Sequence, residues 1–366
     1  MAVDSKGCFI SESLVKKASL FVFFYQYLIS LHLWRAKMFE NFKKSLFLKN
    51  DLKELENYFN GFVLDFEGIF QEALSNTLLA GGKRIRPALF LICAKNESYD
   101  IKNLIPAAAA IEFLHTASLI HDDIIDKSLL RRGKKTIHNI YDKDTARYAG
   151  DCLFTYSFYI LNSYHDYRIL REMSETSQLL VIGEFDQIKT KKILDQSEEM
   201  YLAKINEKTS SLFKLSCVLG GILSGSNNDD IENMRKFGGY LGIAFQINDD
   251  LIDININKPK EKQNKPIGND IMQGNITLPL IYALKNRKYR KKIEDLAGEG
   301  GPIDYEKANE IISIIYKTDA LNLSRQKIRQ NLNEAKKVIR QINGAERKNG
   351  LIEICDFLLN TIEKAK

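Results

Sequence analysis

With 366 residues and 45% hydrophobic content, the chain is long enough to bury one large core or two ordinary ones, which argues against disorder of the whole. Fifty-three Lys and Arg against 47 Asp and Glu leave a net charge of +6 at pH 7, compatible with an anionic substrate or a membrane surface, and no basic-aromatic motif for nucleic acid accompanies it. Only 6 Pro among abundant Ala, Leu, Ile, Lys and Glu favours helix over strand, so the expected fold class is all-α.

The first segment is the compositional oddity. Lys16-Lys17 precede an aromatic and aliphatic run from Ser19 to Trp34, with Gln26 and His32 inside it and Arg35 and Lys37 after it. The run is short for a spanning helix and lacks an obvious small-residue cleavage site. An interfacial anchor, an extra packed helix and an upstream start codon ahead of a native Met38 all fit. The polar, periodic sequence from Met38 onward favours the last. Residues 1–37 are therefore an uncertain extension on which no function rests, and residues 38–366 are expected to form one domain.

From Asp51 to Leu79 apolar residues recur at helical spacing (Leu52, Leu55, Phe59, Phe62, Phe66, Ile69, Leu74, Leu78), stopping at Gly81-Gly82. A new helix is predicted near Pro87, and another to open at Pro106, its apolar residues from Ala107 to Ile125 dense enough for burial on most sides. Arg131-Arg132-Gly133 ends that segment. Further helices are predicted over Thr145–Ser163, Ile169–Lys191, Ser197–Ser224 and Asp230–Asp253, then a polar loop over Ile254–Pro266, an apolar run from Ile276 and polar C-terminal helices. The five cysteines, Cys8, Cys93, Cys152, Cys217 and Cys355, are scattered without a CxxC pair. Neither a zinc cluster nor a disulfide framework is indicated, and a reducing, cytoplasmic setting is expected.

Two predicted helices carry the same acidic pattern, Asp-Asp-x-x-Asp, at Asp122, Asp123 and Asp126 and again at Asp249, Asp250 and Asp253. On a helix the first and last Asp of each triplet share a face, with the second offset by one residue. One triplet could be a solvated acidic surface. Two within largely apolar helices are hard to justify that way, because buried carboxylates need cations or metal. Magnesium prefers oxygen ligands and is typically shared between a few carboxylates and substrate phosphates, which suits two such patches facing one cavity.

Basic groups complete the pattern. Gly81-Gly82-Lys83-Arg84-Ile85-Arg86-Pro87 offers a flexible turn with three cations, a seat for a phosphate although no Walker loop. Arg131 and Arg132 follow the first acidic run, and His115 lies two helical turns before Asp122 on roughly the same face. Together they suggest one diphosphate held by basic residues and another held through metal. Lys208, Thr209, Gln246 and Lys265 are polar groups near these helices that gain meaning only beside the acidic runs.

Taken together, these residues resemble the trans-type polyprenyl diphosphate synthase family, from Gly81 to Pro87, through His121 to Asp126, then Gly242 to Asp253 and Gly268 to Pro279. The likeness spans roughly residues 45 to 360, making residues 38–366 the synthase domain. It implies an isoprenoid synthase-type helical bundle around a deep central cavity, usually dimeric. It also implies Mg²⁺-dependent head-to-tail condensation: an allylic diphosphate (farnesyl or geranylgeranyl) ionises, and isopentenyl diphosphate attacks the cation. By this resemblance Asp122, Asp123, Asp126, Asp249 and Asp250 would hold the metal-bridged allylic diphosphate, with three Mg²⁺ expected, and Asp253 would act from behind them. Lys83, Arg86, His115 and Arg132 would bind isopentenyl diphosphate. Arg131, Lys208, Thr209, Gln246 and Lys265 would contact the allylic substrate.

In this family, bulky residues one turn before the first motif form the cavity floor. Ala117 and Ser118 stand there, which favours a long product unless Phe154, Phe158 or Tyr159 close the tunnel lower down. Bacterial synthases making heptaprenyl to decaprenyl chains for quinones are the nearest match. His115 to Ile120 and Gln273 to Pro279 resemble component II of two-component heptaprenyl synthases, so the partner is either a second copy or a small regulatory subunit, with peripheral membrane contact open for product release. Asn248, Asn264 and Asn275 depart from the family pattern, Asn264 standing where Gly usually precedes Lys265. The alternatives are a farnesyl- or geranylgeranyl-length synthase and a non-catalytic subunit. A terpene cyclase would leave the Gly-Gly-Lys-x-x-Arg-Pro segment unexplained.

Overall fold

The computed structural model of the chain describes residues 48–256, 267–298 and 303–363. The uncertain extension 1–37, Asn264, Lys265 and most of the predicted 254–266 loop lie outside these residues. Helix dominates what is described, as the all-α expectation requires. The one strand pair among the described residues is a hairpin of two-residue strands, β1 (Leu130–Arg131) and β2 (Lys134–Lys135), antiparallel and turned by Arg132 and Gly133 at positive φ.

The first predicted helix is two. Helix α1 (Lys49–Leu64) buries Leu52, Leu55, Phe59 and Phe62, and α2 (Gly68–Leu78) begins at a glycine with φ 59°. Phe66, in the break, packs edge-on against Phe62 at 5.2 Å between ring centroids. The apolar spacing therefore runs on across a break in the backbone. Helix α3 (Ile85–Cys93) carries Pro87 in its first turn, where a missing N–H costs little.

Helix α4 (Ile101–Ile125) starts five residues before the proline expected to open it, because the Asp100 carboxylate accepts from Lys102 N at 3.1 Å and caps the end. Pro106 then sits inside the helix, at a cost of about 3 kcal/mol. Complete burial of Ile111, Phe113 and Leu114, at about 1.5–3 kcal/mol each, outweighs it. By length and composition α4 could cross a membrane, yet 72% of its apolar window is buried inside the bundle, as befits a core helix.

Helices α5 (Ile137–Ile140), α6 (Lys143–Asn162) and α7 (Tyr167–Thr190) follow, with α6 packed along α4. The single helix predicted from Ser197 to Ser224 is instead α8 (Glu198–Ile205), a π-helical turn (Asn206–Ser210) and α9 (Ser211–Leu223). Close packing surrounds the π turn. A Cβ on Gly183 of α7 would lie 2.8 Å from Lys208 N, and one on Gly242 would lie 2.7 Å from Ser210 Cα. Gly242 belongs to α10 (Asn228–Asp253), which packs against α9 and carries the second acidic run. The remainder is α11 (Asn269–Met272), α12 (Leu278–Leu284), α13 (Arg287–Ala297), α14 (Tyr305–Tyr316), α15 (Ala320–Ile339) and α16 (Ala345–Glu363). Helix α15 also packs along α10. Thus α4, α7, the π turn and α10 converge with their polar residues toward one another.

Candidate active site

A cavity of about 500 Å³ opens where these elements meet. Of the residues singled out from the sequence, Lys83, Arg84, Arg86, His115, Ser118, Asp122, Arg131, Arg132, Lys208, Thr209, Gln246 and Asp249 line it. The first Asp of each acidic run thus faces the same space. Asp123, Asp126, Asp250, Asp253 and Ala117 do not line it, and Lys265 lies outside the described residues.

The basic wall comes from the turn before α3, from α4 and from the hairpin. Arg86 Nη1 lies 3.0 Å from His115 Nε2, and Arg86 Nε is buried without a partner, a donor that an anion would satisfy. Burial lowers the Arg86 guanidinium to about 10, still charged at pH 7. Burial and the nearby Arg86 and Arg132 hold the His115 imidazole well below its usual range, so it is neutral. Arg132 donates to the Gly81 carbonyl, and a Cβ on Gly82 would come within 3.0 Å of its guanidinium. Gly82 therefore makes room for Arg132.

The sequence offered Arg84 as a third cation of the phosphate seat, and the structure corrects this. With φ 49°, Arg84 turns its guanidinium inward, where it pairs with Glu56 at 2.8 Å and Glu112 at 2.9 Å and stacks over Phe59. Arg84 still borders the cavity, but its charge is already neutralised by two carboxylates, whereas Arg86 Nε is left without a partner.

On the acidic wall each Asp of the first run has its own protein cation. Asp122 lies 3.3 Å from Lys208 Nζ, Asp123 accepts from Arg131 through both oxygens, and Asp126 accepts from Lys191 Nζ at 3.0 Å. Lys208 also donates to Glu184 of α7. Burial pushes the Asp122 carboxyl up to about 6; Lys208 opposes that shift, while Glu184 and Asp126 add to it. In the second run Asp250 is fully enclosed, accepting from Tyr201 Oη at 2.6 Å and Gln246 Nε2 at 2.9 Å, and burial with nearby Asp270 pushes it up to about 8. Gln246 in turn accepts from Thr209 Oγ1 at 2.7 Å, tying the π turn to α10. Asp253 Oδ2 accepts from Asp270 N at 3.1 Å and holds the start of α11.

Sequence reasoning missed Glu184, Lys191, Tyr201 and Phe245. Glu184 and Phe245 line the cavity, and Lys83 Nζ lies 5.5 Å over the Phe245 ring. Their neighbours offered the available signal: Glu184 follows Gly183, and Phe245 precedes Gln246.

The donor set fits a hard cation shared with a ligand. Among the described residues no three His, Cys, Asp or Glu side chains stand close enough to form a ready metal cage. Magnesium is commonly held by one or two carboxylates plus substrate phosphates. Asp122 and Asp249 on one cavity supply such carboxylates, and the buried Glu184 Oε1 beside Asp122 has no partner.

Comparison with known proteins follows the same line. Residues 67–315 match the sequence model of the polyprenyl synthetase family. The chain is 37% identical over 278 residues to heptaprenyl diphosphate synthase component 2 of Bacillus subtilis strain 168, covering 76% of this chain and 78% of that one. Its fold superposes on the crystal structure of a decaprenyl diphosphate synthase from Rhodobacter capsulatus with TM-score 0.79 and 26% identity, covering 90% of this chain and 99% of that one. It also superposes on a polyprenyl synthase from Caulobacter crescentus CB15, solved with calcium and isoprenyl diphosphate, with TM-score 0.80 and 27% identity, covering 88% and 97%.

Proposed function

The chain belongs to the polyprenyl synthetase family, whose members are prenyltransferases that use a divalent metal, and from that membership we propose that it elongates an allylic diphosphate with isopentenyl diphosphate to a long-chain product. The observation that carries this reading is the meeting of Asp122 and Asp249 with Lys83, Arg86 and Arg132 around one cavity. Carboxylates and guanidinium groups around one cavity suit two diphosphates bound by different means.

Arg86, Arg132 and Lys83 hold the diphosphate of isopentenyl diphosphate directly, with neutral His115 able to donate or accept one hydrogen bond. Asp122 and Asp249 present the allylic diphosphate together with metal, and Lys208, released from its carboxylates, reaches its oxygens. When bound, Mg²⁺, with three ions expected, supplies the positive charge that stabilises the leaving diphosphate. The carbon–oxygen bond of the allylic substrate breaks, and the isopentenyl double bond supplies the electron pair for the new carbon–carbon bond. A proton then leaves the isopentenyl carbon, with the departed diphosphate as its acceptor. Phe245, Leu119, Leu180 and Leu212 line the cavity and keep water from the cation.

The relatives named for heptaprenyl and decaprenyl products support a long chain, as does the small Ser118 on the cavity wall. Exposed apolar residues along α6 and α7, among them Tyr148, Tyr159, Val181 and Phe185, support a subunit interface, which we assign to a second copy of this chain. A distinct small subunit is the alternative, because the Bacillus relative is named as a component. Purified protein mixed with Mg²⁺, farnesyl diphosphate and isopentenyl diphosphate should release inorganic diphosphate, and chelation with EDTA should stop it. No release from folded protein, alone or with a small subunit, would contradict the reading.

A further inference from the structure

From the pairing of Lys191 with Asp126 we infer that Lys191 is a resident counter-ion of the first acidic run, a positioning residue that competes with metal until a diphosphate arrives. This rests on the assignment of the cavity above and adds a residue to it.

Lys191 caps the C-terminal end of α7, and its ammonium reaches across to Asp126 Oδ1 at 3.0 Å, at the end of α4. The pair is mostly shielded, with the side chains 26% and 13% exposed, so bulk water screens it less than a surface ion pair. A divalent ion drawn to Asp122 and Asp126 would meet an ammonium already at the second carboxylate. Lys208 beside Asp122 opposes it in the same way.

The placement of Lys191 is built rather than incidental. The next residue, Lys192, adopts φ 63° and donates its N–H to the Gly274 carbonyl at 2.7 Å. Gly274 has φ 79°, and a Cβ there would lie 2.6 Å from Lys192 Cγ, so the close approach requires glycine. Asn275 N donates to the Asp270 carbonyl at 2.8 Å, and Asp270 N donates to Asp253 Oδ2 at 3.1 Å. A chain of bonds thus runs from the last Asp of the second run, through the segment around α11, to the backbone that presents Lys191 to the last Asp of the first.

Lys191 therefore makes metal and diphosphate interdependent. Without a diphosphate, metal at the first run must displace the ammonium. With one, phosphate oxygens would supply metal ligands that Asp126, held by Lys191, does not, so the ammonium need not be displaced. Such coupling is reciprocal and commonly amounts to about 5- to 150-fold in affinity.

The test is Mn²⁺ binding to the full chain, followed by electron paramagnetic resonance, with and without inorganic pyrophosphate. Without pyrophosphate, Lys191→Gln should bind Mn²⁺ at least about 5-fold more tightly than wild type. Lys191→Arg should match wild type. In an Asp126→Asn background, Lys191→Gln should leave Mn²⁺ affinity unchanged. With saturating pyrophosphate, the gain of the single Gln variant should shrink. Equal or weaker Mn²⁺ binding by Lys191→Gln would overturn the counter-ion role. Failure of wild type to bind Mn²⁺ even with pyrophosphate would instead remove the assignment of the cavity itself.

Discussion

Lys208 Nζ lies 3.3 Å from Asp122 Oδ2 while donating to Glu184, so one ammonium links the carboxylates of α4 and α7 across the cavity. The π turn that carries Lys208 is packed against Gly183, the residue before Glu184. Asp122→Ala should lower turnover by orders of magnitude, and Asp249→Ala likewise, with helical circular dichroism retained. Near-normal turnover in either variant would remove that carboxylate from the metal assignment.

Stability should depend on pH through Asp122 and Asp250. Their carboxyls rise from an ordinary 3.8 to about 6 and about 8, so the folded protein keeps protons that the unfolded chain releases. Their contribution is therefore most favourable below pH 4 and is lost as pH rises through 6 and 8. Asp250→Asn cannot ionise; its Oδ1 can still accept from Gln246 Nε2, while its Nδ2 donates to Tyr201 Oη in place of accepting from it. In metal-free buffer its Tm should exceed that of wild type by several °C at pH 8.5, at roughly 2 °C per kcal/mol, and match it near pH 4. A lower Tm at pH 8.5 would show that Asp250 is not strained by its burial.

Much of this site was legible before the fold was known, because the two acidic runs, Lys83, Arg86 and Arg132 each sit beside a local marker such as a glycine pair or a repeated triplet. Less visible were features created by packing. The break between α1 and α2 escapes periodicity because Phe66 continues the apolar stripe. Pro106 reads as a helix start, yet burial holds the helix through it. The π turn at 206–210 coincides with close approaches at Gly183 and Gly242, and Glu184 and Lys191 reach the first acidic run only because α7 folds back onto α4. No pattern within a single helix reports such pairings.

Ser118 and Ala117, both expected to gauge product length, now separate. Ser118 lines the cavity, whereas Ala117 is 1% exposed and packed in the core. Ser118→Phe should shorten the product while leaving Tm within a few degrees of wild type. Ala117→Phe should instead overpack α4 at a cost of about 1–3 kcal/mol, read as a lower Tm. Unchanged product length in Ser118→Phe would place the floor elsewhere.

Charge on the apolar face of α6 and α7 should dissociate the protein. Tyr159→Lys combined with Val181→Lys, both at exposed positions, should convert a dimer to a monomer in light scattering with little change in helical content. A wild-type protein that is already monomeric would point to a different subunit as the partner of this face.

The most direct measurement is the mass of the product formed from farnesyl diphosphate and labelled isopentenyl diphosphate with Mg²⁺, by the chain alone and with a candidate small subunit. The expected result is a long-chain polyprenyl diphosphate, of about seven to ten isoprene units by the resemblance, whose formation is lost in Asp249→Ala. A product that stops at the farnesyl or geranylgeranyl length under both conditions would contradict the long-chain assignment, and the absence of any elongated product from folded protein would contradict the enzyme.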